Sequence, residues 1–222
     1  MQKLVAFILI LVATESAFAE DQGGWRFLYE HDGIRVYQSE ATLPTFKAEG
    51  RLEANLYELL AIMADLERRK EWVANLSEIK ILEGDPESKV YVYNRFDLPW
   101  PASDRDSIIE GTTVINYQKR EVEVSFIGVS HPAKPEIPGV VRINNLKGST
   151  KIKYIDENHV DVIQQAAIDT GGNIPLWVAK MFAEDQPINT IKAMKKQLLK
   201  TKGEYIDFIK KHMSKAESPP SN

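Results

Sequence analysis

The last third of the chain constrains the fold most, because a strand pattern there turns abruptly into a helix pattern. From His159 to Ile168 the residues alternate. Val160, Val162, Gln164, Ala166 and Ile168 fall on one side, and Asp161, Ile163, Gln165 and Ala167 on the other. A period of two is a strand with one face buried. Asp169-Thr170-Gly171-Gly172-Asn173 breaks the pattern, and Ile174-Pro175-Leu176-Trp177 begins a helix. Asn173 suits the N-cap, and Pro175 suits the first turn, where a missing N–H costs nothing. Beyond it Trp177, Met181, Ile188, Ile191, Met194, Leu198, Tyr205 and Ile209 recur at steps of three, four or seven, which is one apolar face of a long helix. At about 1.5 Å per residue, such a helix reaches across a whole sheet. A curved sheet gripping a single long helix leaves a hollow between them, and function is expected in that hollow.

The first 19 residues read as an export signal. Lys3 supplies the positive start, Leu4 to Ala13 the apolar run, and Ala17-Phe18-Ala19 a small-x-small cleavage site. The run is too short to cross a bilayer as a helix. Cleavage after Ala19 places a mature chain from Glu20 in a periplasm or outside the cell. The 222 residues include no cysteine, so neither a disulfide nor a lipid-anchored cysteine is available, although export permits disulfides. A domain of about 200 residues is large enough to be stable on its core alone. Residues 20–213 read as that domain, and 214–222 as a disordered tail.

The net charge of −4 is unevenly spread: between Pro175 and Lys215 there are nine lysines and four acids. Lys192, Lys195, Lys196, Lys200 and Lys202 lie mostly off the apolar stripe. They form either a solvated outer face or a weakly attractive surface for anionic lipid headgroups. Overall acidity and the export signal disfavour nucleic acid as a partner, and the chain reads as a monomer.

Trp25 to Tyr37 reads as a hairpin turning at His31-Asp32-Gly33. A strand over Phe46 to Glu53 follows Pro44. Asn55 then caps a helix whose apolar face is Leu56, Leu59, Leu60 and Met63, and a short helix covers Glu67 to Trp72. Further strands are expected over 78–82, 89–96, 105–117, 121–130, 139–145, 150–155 and 159–168, with a break or bulge at Lys147-Gly148-Ser149. Hairpin spacing argues for a mostly antiparallel sheet, and the class is α+β. Two connections are rich in proline: residues 97–104, with Trp100 between Pro99 and Pro101, and residues 131–139, with three prolines. Both should be stiff loops outside the sheet, suited to the mouth of a cavity.

His31, His131, His159 and His212 show no metal-ligand spacing, and no nucleophile elbow or phosphate-cradling glycine loop is present. No metal, cofactor or catalytic residue is implied, and the chain does not read as an enzyme.

The segments Asp32-Gly33-Ile34-Arg35-Val36-Tyr37, Pro99-Trp100-Pro101-Ala102-Ser103-Asp104-Arg105-Asp106, Pro138-Gly139-Val140-Val141-Arg142 and Asp169 to Trp177, with Pro187-Ile188 further on, together resemble a START domain, the StAR-related lipid-transfer module. The resemblance spans nearly all of the mature chain. It implies the helix-grip fold, with a tunnel between a curved antiparallel sheet and the C-terminal helix. One hydrophobic molecule, often a lipid, would be held there under a loop-and-helix lid that opens at a membrane. Cholesterol-type members carry a buried arginine six residues after the arginine of the Arg-Asp pair, with an acidic partner one strand back. Those positions are Gly111 and the neighbourhood of Val92, where no ion pair can form.

The tunnel lining expected on this reading has four parts. Ile109 and Phe126 come from the sheet, and Trp177, Met181, Ile188, Ile191 and Met194 from the helix. Trp72, Tyr91, Tyr93 and Trp100 are candidates for cation–π contact with a headgroup. Arg95 would meet a phosphate or carboxylate, or else Asp97 or Glu110. Arg105 and Asp106 read as a structural pair or loop anchor. Pro187 should kink or interrupt the helix. A polyketide-cyclase-like enzyme is the alternative, with Tyr91, Tyr93 or Arg95 as its acid or base. A third reading is an interaction protein with a collapsed cavity.

Overall fold

The computed structural model describes residues 24–39, 43–171, 174–182 and 184–218. The segment read as an export signal and the expected N-cap Asn173 lie outside them. Among these described residues ten strands form one sheet: β1 (Trp25–His31), β2 (Ile34–Ser39), β3 (Thr45–Glu53), β4 (Leu76–Gly84), β5 (Lys89–Phe96), β6 (Arg105–Asn116), β7 (Glu121–Gly128), β8 (Val141–Arg142), β9 (Leu146–Asp156) and β10 (His159–Ile168). Along the sheet the order is β1-β2-β3-β10-β9-β7-β6-β5-β4. Every pairing is antiparallel except that of β8, which runs parallel to the start of β6. The helices are α1 (Leu56–Ala64), α2 (Leu176–Phe182), α3 (Gln186–Lys200) and α4 (Ile206–Glu217), with a 3-10 turn over Glu67–Glu71.

Local chemistry accounts for the joints. Asp32 and Gly33 both take positive φ, 53° and 73°, the backbone of a two-residue hairpin loop whose twist matches its strands. The Asn55 side chain accepts from the Tyr57 N–H at 2.9 Å and starts α1. Gly148 sits inside β9 rather than at a break. A Cβ there would come within 2.4 Å of the Gln165 carbonyl oxygen and 2.5 Å of the Phe126 ring, so glycine leaves the room that both occupy.

The single long helix expected at the C-terminus is three helices. Pro187 falls in the first turn of α3, where its missing N–H is harmless, so it starts a new helix instead of bending an old one. At the other end the α3 pattern stops at Thr201, and Gly203 takes φ 83° before α4 begins. Helix α4 continues to Glu217, past the point where a disordered tail was expected. The strand expected over 139–145 is reduced to Val141–Arg142.

The sheet is packed on one half and hollow on the other. Helix α3 lies against β2, β3 and β10. There Val36, Ala48, Leu52 and Val160 close on Ile188, Ile191 and Leu198 with α1 alongside. The sheet then curves away, and its β5, β6 and β7 side faces α3 across a gap.

Candidate functional site

The gap is a cavity of about 620 Å³. On β5 its wall is Val90, Val92, Asn94 and Phe96, and on β6 Ser107, Ile109, Gly111 and Thr113. These are alternate residues, as a pleated strand requires. Phe126, Leu146, Gln164 and Ile168 continue the wall along β7, β9 and β10. Met181 and Phe182 of α2 close one end, and Met194, Ala193 and Gln197 of α3 form the roof. Trp72 and Arg69, beside the 3-10 turn, complete it.

Strand parity decides which of the expected residues reach this space. Trp72, Ile109, Phe126, Met181 and Met194 line it. Tyr91, Tyr93 and Arg95 do not, because they occupy the odd positions of β5 and point to the opposite face from Val90, Val92 and Asn94. Tyr93 is fully buried nonetheless, since residues 129–142 fold over that outer face. The Lys134 ammonium lies 3.8 Å from the centre of the Tyr93 ring. Arg142 grips Asp106 there through two bonds of 2.6 and 2.9 Å. Burial and the Asp106 carboxylate push the Tyr93 hydroxyl up to about 12. Arg95 finds Asp104 at 2.7 Å and Asp97 at 3.5 Å, so its partners are protein carboxylates. Tyr91 donates to Glu110 at 2.7 Å. Arg105 and Asp106, adjacent on a strand, face opposite ways and do not pair. Arg105 donates to the Ser103 carbonyl instead.

Trp100 stands 91% exposed at the tip of loop 97–104, and Trp177 is 45% exposed on α2. Neither lines the cavity. The loop is anchored by Leu98, which packs on Val178 and Phe182. Ile188 and Ile191 belong to the packed half. The four aromatics proposed for a cationic headgroup are therefore not brought together, and the residues offered as a cyclase's acid or base lie outside the hollow. Gly111 and Val92 both line it.

The polar group that the sequence reading missed is Arg69. Its Nη2 donates to the Met63 carbonyl at 2.9 Å, and its Nε is buried with no partner. No carboxylate pairs with it among the described residues. Burial lowers the guanidinium to about 10, so it stays charged at neutral pH. The Trp72 ring centre lies 5.7 Å from it, and the Trp72 indole N–H is also buried and unpartnered. Two unmet donors thus border one apolar space. The one acid among the described residues of the wall, Glu71, is already held by Arg68, Lys200 and Gln197. A sequence signal existed in Arg68-Arg69-Lys70 directly before Glu71-Trp72, but period alone does not say which of three cations turns inward.

Comparison with known proteins agrees with this geometry. A START domain family model matches residues 13–204. The phosphatidylcholine transfer protein of Bos taurus is 30% identical over 178 residues, covering 78% of this chain and 83% of its own. An uncharacterized protein of Pseudomonas aeruginosa is 28% identical over 190 residues, covering 81% and 88%. The crystal structure of a STAR-related lipid transfer protein fragment from Xanthomonas axonopodis matches with a TM-score of 0.68 at 28% identity, covering 79% of this chain and 98% of that one. Human STARD10 shares the fold, with a TM-score of 0.73 at 21% identity, covering 88% and 82%. Two of these relatives, the Bos taurus and Xanthomonas axonopodis proteins, are named as phosphatidylcholine- or lipid-transfer proteins, and the chain belongs to the START domain family and has its α+β helix-grip fold.

Proposed function

We propose that this protein binds one lipid in the cavity and carries it between membranes without chemical change. An apolar ligand gains about 25 cal/mol for each Å² of apolar surface taken out of water, and a lined cavity supplies that burial with a few polar groups to orient the ligand. The observation that carries the reading is Arg69, an unpaired cation beside an unpaired indole N–H in an otherwise largely apolar space. A phosphate or carboxylate answers both donors, so the headgroup carries one of these. A quaternary ammonium finds no free carboxylate among the described residues of the wall, since Glu71 is already paired.

Contact with a membrane belongs to the same reading. It is supported by the exposed Trp100 and half-exposed Trp177, rings of a type that settles at the headgroup level. Export, cleavage after Ala19 and work in a periplasm or outside the cell are supported by the sequence pattern of residues 1–19.

Native mass spectrometry of the protein purified from its own source, with the bound mass identified after denaturation, tests the reading. One intact lipid per chain, bearing a phosphate or carboxylate, is expected. A protein that arrives empty and takes up no offered lipid overturns it.

A further inference from the structure

The cavity opens sideways. Among its described lining residues only five are themselves exposed: Glu71 and Ala74 on one rim, Asn189, Lys196 and Lys200 on the other. The first rim is the end of the 3-10 turn and the chain after it; the second is one face of α3. Loop 97–104 contributes nothing to the lining, and α2 contributes only the side chains that close one end. The hollow therefore meets solvent along a slot between α3 and residues 71–75.

Few bonds hold the slot shut. At one end the Glu71 carboxylate accepts from Lys200 at 2.7 Å and from Gln197 at 3.1 Å, reaching across from its own rim. Arg68 steadies Glu71 from behind at 3.1 and 3.2 Å, and also pairs with Glu204 just past α3. At the other end the Asn75 amide donates to the Met181 sulfur at 3.3 Å, a weak bond. No other hydrogen bond joins residues 71–75 to α2 or α3 among the described residues.

We propose that this slot is the doorway for the lipid and that Glu71 is its latch, released when the phosphates of an anionic membrane surface take Lys200 and Arg68 from it. The proposal rests on the lipid-carrier reading. Exposed ion pairs are weak and screened by salt, so competing anions can displace them, and a lipid phosphate offers Lys200 and Arg68 the same charge-assisted bonds as a carboxylate. Lys196 shares the α3 rim and Lys192 lies beside it, so the rim that must move is the one drawn to such a surface. Mild acid is not the trigger: Lys200, Arg68 and Gln197 hold the Glu71 carboxyl down at about 2. Release therefore follows surface charge and ionic strength rather than pH.

The absence of cysteine makes the test clean, because introduced thiols are the only ones. Ala74→Cys with Asn189→Cys is loaded with fluorescent phosphatidylglycerol and closed with bis-maleimides of graded length, the unlinked double variant serving as the folded control. Transfer to phosphatidylglycerol-containing vesicles should stop on cross-linking, while native mass spectrometry still finds the loaded lipid. Transfer at the unlinked rate would overturn the doorway. Glu71→Gln should speed transfer to neutral phosphatidylcholine vesicles about two- to fivefold, the span expected on removing an exposed ion pair, and should flatten the dependence on anionic lipid and salt. An unchanged dependence would overturn the latch. A chain that holds no lipid in any form would instead overturn the carrier reading itself.

Discussion

Burying a guanidinium without a carboxylate costs stability, so Arg69 should behave unlike an ordinary wall residue. Arg69→Met removes an unpaired charge from a low-dielectric site and keeps the bulk of the side chain. The empty protein should melt at the same temperature or higher. Affinity for a lipid with a phosphate or carboxylate headgroup should fall about 10- to 100-fold, the range for losing a hydrogen bond to a charged group. Lipid titration and thermal melting together check the opposite signs; equal loss in both would make Arg69 a structural residue.

At the scale of elements, α4 lies beyond residue 204, where the family match stops, and one buried histidine pins it. His212 is almost completely covered, stacked on Tyr57 and Tyr117 and packed on Phe208. Its Nε2 faces the Glu87 carboxylate at 3.2 Å, and its Nδ1 lies 2.9 Å from the Tyr117 hydroxyl. A neutral ring that donates through Nε2 and accepts through Nδ1 satisfies both. Burial pushes the ring below its ordinary value of 6.5, against the pull of Glu87. The folded state therefore resists a proton that the unfolded chain accepts. The stabilisation is complete above about pH 6.5 and declines as pH falls below it. Lys211 binds Glu87 from the same helix at 2.7 Å, and Lys215 adds positive charge that also disfavours protonation. His212→Ala should cost about 1–3 kcal/mol through the partners left unsatisfied. Urea unfolding across this pH range should also be less steeply pH-dependent in the variant than in the parent, and equal slopes would refute the assignment.

The whole molecule is a sheet with a packed half and a hollow half, and an isoleucine-to-tryptophan exchange made once in each half tells them apart. Ile191→Trp forces bulk into the packed half, where overpacking typically costs about 1–3 kcal/mol. Ile109→Trp extends into the cavity, where space exists. It should leave the denaturation midpoint nearly unchanged and lower the amount of lipid bound per chain. Chemical denaturation and bound-lipid mass measure the pair. Similar destabilisation by both would mean that the cavity is not empty space in solution.

The element order, the antiparallel sheet, the Asp32-Gly33 hairpin and the Asn55 cap are legible in the sequence because each rests on neighbours within a few residues: a period, a turn dipeptide, a capping side chain. Ile109 and Phe126 line the cavity as the START resemblance implied, not as a product of these local rules. The local rules could not assign the face of β5, because both faces of that strand are covered, one by the cavity and the other by residues 129–142 folding back. With Tyr93 as buried as Val92, hydrophobicity does not distinguish inside from outside. They ran three helices into one, because the apolar stripe survives the interruptions at Pro187 and Gly203. They missed Arg69, because its lack of a counterion is a property of everything around it. Local sequence chemistry thus determined the elements and their order. Which residues face the hollow, which half of the sheet is packed and which cation is left unpaired were decided only when distant segments closed on one another, since burial and charge pairing depend on residues far apart in the chain.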